Sequence, residues 1–478
     1  MSSVAVHRFA AVASIERAAV GVGAVAVGVA AGAAGAGLAT TAAVVLLSGI
    51  LFGLVLASPR LCTVLAVMSA FSLSWATSLG YVDSSAKVMQ DVLSVALVSA
   101  LLLRVARNRS SVRWPPGIAW LITFIAGGAI SAIAGAENVT TALLALRELW
   151  KYIPLFVVPT ALVWSGAFRR KLVWLLIAMC VAQVPVAFVQ FMTKTTRSGD
   201  TVGGTLGDFS SGALTGLCIA VGGLLIGLIV YRAVPRYLVV AAFGVICIPP
   251  ALDETKIFFI AAPLVWGLRL ITRVRRRGLV AIAMLMVCMV GVSLVAVGYD
   301  AYFGRNRQVD VVVHTAIQEQ LDPALGEGRT VRRLHQPSVA IEYAWTHPLT
   351  IPLGSGLGSL KSTGTFETQG VLVRALGGEM ADAVFAVRLF LEQGVIGVVA
   401  LVGLLLAIVL TSRKVERATV EPFWRAVAMG TQGFVLVMAV WSLYSGAFVT
   451  DALACSFWLV AGLVAAESTS LNDSRPAS

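Results

Sequence analysis

The stretch "EMADAVFAVRLFLEQGVIGVVALVGLLLAIV", residues 379–409, gathers Glu379, Asp382, Arg388 and Glu392 at one end and then runs without a charge to Val409. An apolar run near 20 residues matches the roughly 30 Å hydrocarbon layer of a bilayer. Ionisable groups in the first turns of such a run are costly and face a protein interior or an aqueous cavity. Arg388 and Glu392 stand four apart, so they either neutralise each other on one helix face or line such a cavity.

Working outward, apolar runs of this kind recur along all 478 residues. The chain is 58% hydrophobic and 13% charged, with a mean hydropathy of +0.89. That composition belongs to a multi-spanning helical membrane protein. The pattern predicts an all-α polytopic fold of about fourteen transmembrane helices. They fall at roughly 18–39, 42–57, 61–80, 87–103, 114–134, 142–165, 171–192, 211–231, 237–250, 255–271, 279–299, 384–411, 424–446 and 449–466. Helices one to eleven occupy 1–299, a large loop 300–383, helices twelve to fourteen 384–466, and a tail 467–478. Met1 to Arg17 is mildly basic and runs into a segment long enough to span, so no cleaved leader is expected.

The net charge of +12 reports orientation before it reports a nucleic-acid or acidic partner, because much of it sits in short loops. Arg104, Arg107, Arg109 and Arg113 form one such group; Arg169, Arg170 and Lys171 a second; Arg232 and Arg236 a third. Arg273, Arg275, Arg276 and Arg277 follow span ten, and Arg413, Lys414 and Arg417 follow span twelve. The span count puts all of them on one side, which makes both termini cytoplasmic. Cys62, Cys180, Cys218, Cys247, Cys288 and Cys455 lie in apolar runs without CxxC spacing and read as small core side chains.

The alternate loops are then extracytoplasmic, and residues 300–383 form the large one. It carries three of the four histidines and, in "GEGRTVRRLHQPS" (326–338), three arginines close together. Arg329, Arg332 and Arg333 would share one face of a short helix, and guanidinium forks match phosphate oxygens. Two readings stay open: a phosphate-bearing ligand, or a solvated face paired with Asp322, Glu327 and Glu342. Downstream, "GSGLG" (354–358) permits tight turns and leaves backbone N–H groups to face a ligand. Arg147, Glu148 and Lys151, like Asp253, Glu254 and Lys256, stand near the same outer face. Charges recurring at one depth point to a shared polar cavity, with interface anchoring as the alternative.

Four stretches, taken in order, resemble the O-antigen ligase/polymerase family of bacterial envelope enzymes. "RSGDTVGGTLGDFSSGALTGL" (197–217) is similar to that family's R-x-x-G-t-f-G-x-x-N segment, and "ETKIFFIAAPL" (254–264) to its basic helix start. "RRLHQPSVAIEYAWTHPLTIPLGSGLG" (332–358) is similar to R-x-x-x-W…h-P-l-x-G-x-G-x-G, and "ADAVFAVRLFLEQGVIGVVALV" (381–402) to the E-x-G-x-x-G start of the next helix. The chain departs at Asp382 and Ala383, where ligases of the family carry histidine, at Pro337 in place of Trp, and at Lys256 in place of Arg. These departures favour a polysaccharide polymerase-like member over a lipid A-core ligase.

The resemblance implies a GT-C-like, metal-independent glycosyltransferase of the bacterial cytoplasmic membrane. It would polymerise or ligate polyprenyl-diphosphate-linked glycan on the outer face. Its partners would be that donor, a glycan or lipid-linked acceptor, membrane lipid and other polysaccharide-assembly proteins, without a cofactor. Arg333, then Arg329, with Arg332, Lys256, Arg197 and Arg147, would neutralise the leaving diphosphate. Asp382, Glu379 or His335 would accept the acceptor hydroxyl's proton. Asp83 is the one carboxylate of the first outer loops, which argues against a metal site there. The alternatives are a transporter or flippase of lipid-linked glycans, a glycosyltransferase of another branch, and a scaffold. A rocking transporter would carry charge and broken helices near the midplane in both halves.

Overall fold

The computed structural model describes residues 58–107, 112–135, 139–193, 202–207, 210–252, 257–267, 335–363, 368–376 and 383–473, with positions 53, 255, 290, 333 and 380. The chain divides into two compact units, residues 1–112 and 113–478. The expected spans at 18–39, 42–57 and 279–299 lie almost wholly outside the described residues.

In the first unit, α1 (Pro59–Ser78) opens on Ser58, whose Oγ accepts from Leu61 N–H at 3.4 Å, with Pro59 in the first turn where its missing N–H costs nothing. A 3₁₀ turn, Ser84–Lys87, leads into α2 (Val88–Arg107). The two helices join through buried Ala66, Ala70, Leu93 and Ala96, and Gln90 Nε2 donates to Ser69 O at 3.2 Å.

The second unit begins with α3 (Ile118–Ala134), α4 (Val139–Trp150) and α5 (Pro154–Ala161). The expected span 142–165 is thus two shorter helices joined by a turn. Next come α6 (Gly166–Val181), α7 (Gln183–Thr193) and α8 (Ser211–Val230). After them follow α9 (Arg236–Ile246), α10 (Ile248–Leu252) and α11 (Phe258–Ala262), the last continued by a π-helical turn at Pro263–Gly267. The segment between α11 and the last long helices supplies α12 (Gln336–Thr346), the single turn α13 (Thr350–Leu353), a two-stranded ribbon of β1 (Ser362–Thr363) and β2 (Thr368–Gln369), and α14 (Val371–Ala375). Three long helices close the chain: α15 (Phe385–Ala418), α16 (Pro422–Ser442) and α17 (Asp451–Asp473). Arg413, Lys414 and Arg417 lie in the last turns of α15, not in a loop after it.

The buried centre of this unit is α8, α16 and α17. Apolar helices in lipid gain little from the hydrophobic effect, so they associate through close packing of small residues. Helix α8 follows that rule: Gly227 lies against the backbone of Ala426, and Gly430 of α16 against Leu224. Two tryptophans fill the remaining gaps. Trp441 lies on Gly216 and donates from Nε1 to Gly212 O at 2.8 Å, while Trp266 lies on Gly222 and donates to Ile219 O at 2.9 Å. Helix α17 packs on α5 across Gly462, and α15 packs on α3 and α16.

Helix ends fall into two sets. At one end Arg169 pairs with Glu467 at 2.9 Å and stacks on Trp424, Arg170 pairs with Glu421, and Tyr231 donates to Glu416 at 2.6 Å. Arg169 is therefore buried in the first turns of α6, where a loop position was expected. At the other end the turn after α3, the start of α8, the segment 335–376 and the α16–α17 connection come together. A Cβ at position 222 would sit 2.7 Å from Trp266, whereas position 244 has nothing within 4 Å. Gly222→Ala should therefore lower the thermal midpoint in detergent, at a cost of about 1–3 kcal/mol. Gly244→Ala should leave it unchanged or raise it.

A candidate functional site where a glycine loop meets a broken helix

Helix α15 is interrupted at Gly394, whose φ of +63° and ψ of −163° leave the helical region. Only glycine adopts this conformation without strain. The interruption frees carbonyls that the next turn would have used, and in a dry interior they need other donors. Ser355 N–H bonds Leu391 O at 2.7 Å, and the Ser131 hydroxyl of α3 bonds Glu392 O.

The donor Ser355 belongs to the GSGLG loop, and its glycines are there to bring backbones together. Gly354, Gly356 and Gly358 all have positive φ, at +76°, +104° and +88°. A Cβ on Gly354 would strike the backbone of Glu392 and Gln393. One on Gly356 would lie 2.7 Å from Gly135 Cα, and one on Gly358 2.5 Å from Thr141 O. The loop is thereby wedged among the end of α3, the start of α4 and the break in α15. At Ser355 and Leu360 the loop's N–H groups serve this junction: Leu360 N–H bonds Glu392 Oε1 at 3.2 Å.

Glu392 is the hub. It is 1% exposed, and its second oxygen accepts from Arg388 Nε at 3.2 Å. Arg388 also faces Glu148 of α4 at 3.6 Å, and Glu148 pairs with Lys361 just past the loop. Two carboxylates and two cations thus interlock α4, the loop and α15 with no net charge. Burial of the four groups costs several kcal/mol per ion, which the mutual pairing offsets. Beside them the amide of Gln393 is fully buried, with no hydrogen-bond partner for either polar atom, and lies against Gly128 and Gly397.

One helical turn outward lies a second neighbourhood. Gln336, in the first turn of α12, accepts from Val384 N–H at 2.8 Å through Oε1, and Phe385 N–H donates to Ser445 O at 3.1 Å. The guanidinium of Arg333 is exposed and lies over the ring of Tyr444, 4.4 Å from its centroid. Tyr444 in turn sits beside Trp441, 3.7 Å from where a Cβ of Gly212 would be. The starts of α8, α12 and α15 therefore converge on one turn between α16 and α17. Beneath them Ala340, Leu360, Leu372, Met380, Val384, Val387 and Leu391 form an apolar cluster that fixes the segment holding α12 and α14 on α15.

Among the residues singled out by sequence, Arg333 reaches the Tyr444 ring. His335 caps α12, its carbonyl accepting from Val339 N–H at 3.2 Å and from the Ser338 hydroxyl at 2.7 Å. Arg147 is half-buried on α4, yet its neighbour Glu148 is the one that enters the ionic cluster. Asp382, Glu379, Arg329, Arg332, Lys256 and Arg197 lie outside the described residues. Sequence reading passed over Tyr444, Gln336 and Lys361. Only Lys361 had a signal, as a lone lysine three residues after a glycine loop.

Seven described helical runs are long and apolar enough to cross a membrane, α6 and α7 together forming one of them (Gly166–Thr193), and the described residues are all-α apart from one short ribbon. The molecule is a multi-pass membrane protein. No protein-family model matches the chain, and no curated protein matches it. The ionic cluster should be strongly coupled. Glu392→Gln should cost about 3 kcal/mol by leaving the buried Arg388 with only the more distant Glu148 carboxylate. In a double-mutant cycle, Glu148→Gln and Lys361→Met should show a coupling of about 0.5–3 kcal/mol in thermal unfolding; additive effects would mean that their contact is not formed.

Proposed function

We propose that this chain is a membrane glycosyltransferase similar to the O-antigen ligase/polymerase family, and polymerase-like within it. It polymerises or ligates polyprenyl-diphosphate-linked glycan on the outer face of a bacterial cytoplasmic membrane, without a metal. In this reading about fourteen helices span the bilayer with both termini inside, and the segment 300–383 is extracytoplasmic. The observation that carries it is convergence. Three of the four family-like stretches meet at the α16–α17 turn: Gly212 beside Tyr444, Arg333 on its ring, and Phe385 bonded to Ser445. An exposed guanidinium held on an aromatic face keeps its charge and its outward N–H groups for diphosphate oxygens. Asp382, two residues before the helix cap Val384, is the first choice of base, followed by Glu379 and His335. Arg329, Arg332, Lys256, Arg197 and Arg147 are the further cations that would neutralise the leaving group.

One observation favours the transporter reading. Interrupted helices with buried polar groups are where secondary transporters hold substrate, and α15 breaks beside the unpartnered Gln393 amide. Against it, the carbonyls of Leu391 and Glu392 are already bonded by Ser355 and Ser131.

Complementation of a strain deleted for this protein separates the two. Arg333→Ala and Asp382→Ala should reach the membrane and leave short, unpolymerised glycan. Full-length polymer from both would overturn the site assignment. Undecorated carriers retained inside the deleted strain would favour transport.

A further inference from the structure

The exposed face of α15 beyond the break at Gly394 carries a pattern that neither the fold nor the proposed activity uses. Val399, Val402, Leu406 and Leu410 are all exposed, at spacings of three and four that place them in one stripe. From Val399 to Leu410 the stripe runs about 17 Å along the axis, the depth of one leaflet in a hydrocarbon core of about 30 Å. Three and four residues beyond Leu410 the same face reaches Arg413 and Lys414, and one further turn reaches Arg417. All three cations are exposed. With Leu410 and Ala418 they line a groove of about 550 Å³ with no carboxylate among its lining residues. Glu416, on the same turn, points elsewhere: its two oxygens are held by Tyr231 and Gln432, at 2.6 and 2.9 Å. Lys414 is steadied by Asn472 of α17 at 2.8 Å.

The level of the groove has an independent marker. Helix α3 begins against α15 just above it, with Gly117 against Ala407, and Trp114, three residues before Gly117, is exposed. Exposed tryptophans at a helix end mark the membrane–water boundary. Basic residues near a helix C-terminus favour the helix dipole whatever they bind. That effect does not account for an acid-free groove continuous with a leaflet-deep apolar stripe.

From this we infer that the end of α15 is a binding site for an anionic phospholipid. Its phosphate lies in the groove among Arg413, Lys414 and Arg417, and an acyl chain lies along Leu410, Leu406 and Val402. Both parts of the ligand are needed: guanidinium and ammonium groups take the phosphate oxygens, and the stripe takes the chain. The site depends on the membrane-spanning reading alone and stands whether or not the chain transfers sugars.

The test uses the full-length protein, delipidated in mild detergent, with lipid retention read by native mass spectrometry. Short-chain phosphatidylglycerol should be retained in preference to phosphatidylcholine. The double variant Arg413→Gln/Arg417→Gln should lose that preference by roughly fivefold per charge removed. Arg413→Lys/Arg417→Lys should keep most of it. Lys171→Gln removes an exposed charge at the same end of the bundle, on α6, and should leave retention unchanged. The inference is overturned if Lys171→Gln causes a loss equal, per charge, to that of the groove variant, since a diffuse basic field would then suffice. It is equally overturned if inorganic phosphate or glycerol phosphate displaces the lipid at comparable concentration, which would make the site one for free phosphate. Equal retention of both lipids also overturns it. Unfolding midpoints of all variants, measured alongside, separate loss of the site from loss of the fold.

Discussion

The break in α15 at Gly394 is the constraint around which α3, α4 and the GSGLG loop are arranged. A helix interrupted in a dry environment exposes carbonyls whose desolvation costs several kcal/mol each. The protein meets that cost with a loop from 40 residues earlier, inserted so closely that three of its five residues have to be glycine. Ser355 and Ser131 satisfy the freed carbonyls. Once the loop is seated, Leu360 and Lys361 are delivered to Glu392 and Glu148, and the ionic cluster forms as a consequence.

That arrangement gives the two polar neighbourhoods different characters. The inner one is charge-balanced and interlocked, and its geometry suits holding α4, the loop and α15 in fixed register. The outer one, one turn away, presents the exposed guanidinium of Arg333 on an aromatic face. The opposite end of the bundle solves a separate problem. There Arg169 and Glu467, with Trp424, carry buried charge between α6, α16 and α17, while Arg413, Lys414 and Arg417 face outward.

Sequence periodicity and charge sufficed for the class of fold. The spans at 211–231, 424–446 and 449–466 differ from α8, α16 and α17 by at most seven residues at an end. Where spans were misread, the cause is local. Residues 142–165 are continuous in hydropathy, yet the chain turns at Lys151–Ile153, and hydropathy does not register a turn inside an apolar run. The span at 171–192, by contrast, lies within one run long and apolar enough to cross a membrane, Gly166–Thr193. The reading of Arg388 and Glu392 as partners is correct as far as it goes, since spacing on a helix is a local property.

What the sequence by itself determined is whatever depends on the solvent seen by each residue: apolar helices and the polar stretches between them. What only the tertiary structure decided is which distant groups share a site. Glu148 and Lys361 are 213 positions apart, and Tyr231 and Glu416 are 185 apart. No periodicity encodes such pairs, because they arise from shape, and shape here is set by where glycine lets two backbones touch. The GSGLG loop shows this most clearly. Its composition announces freedom to turn, but only the packed molecule reveals that the freedom is used to fill the gap in another helix.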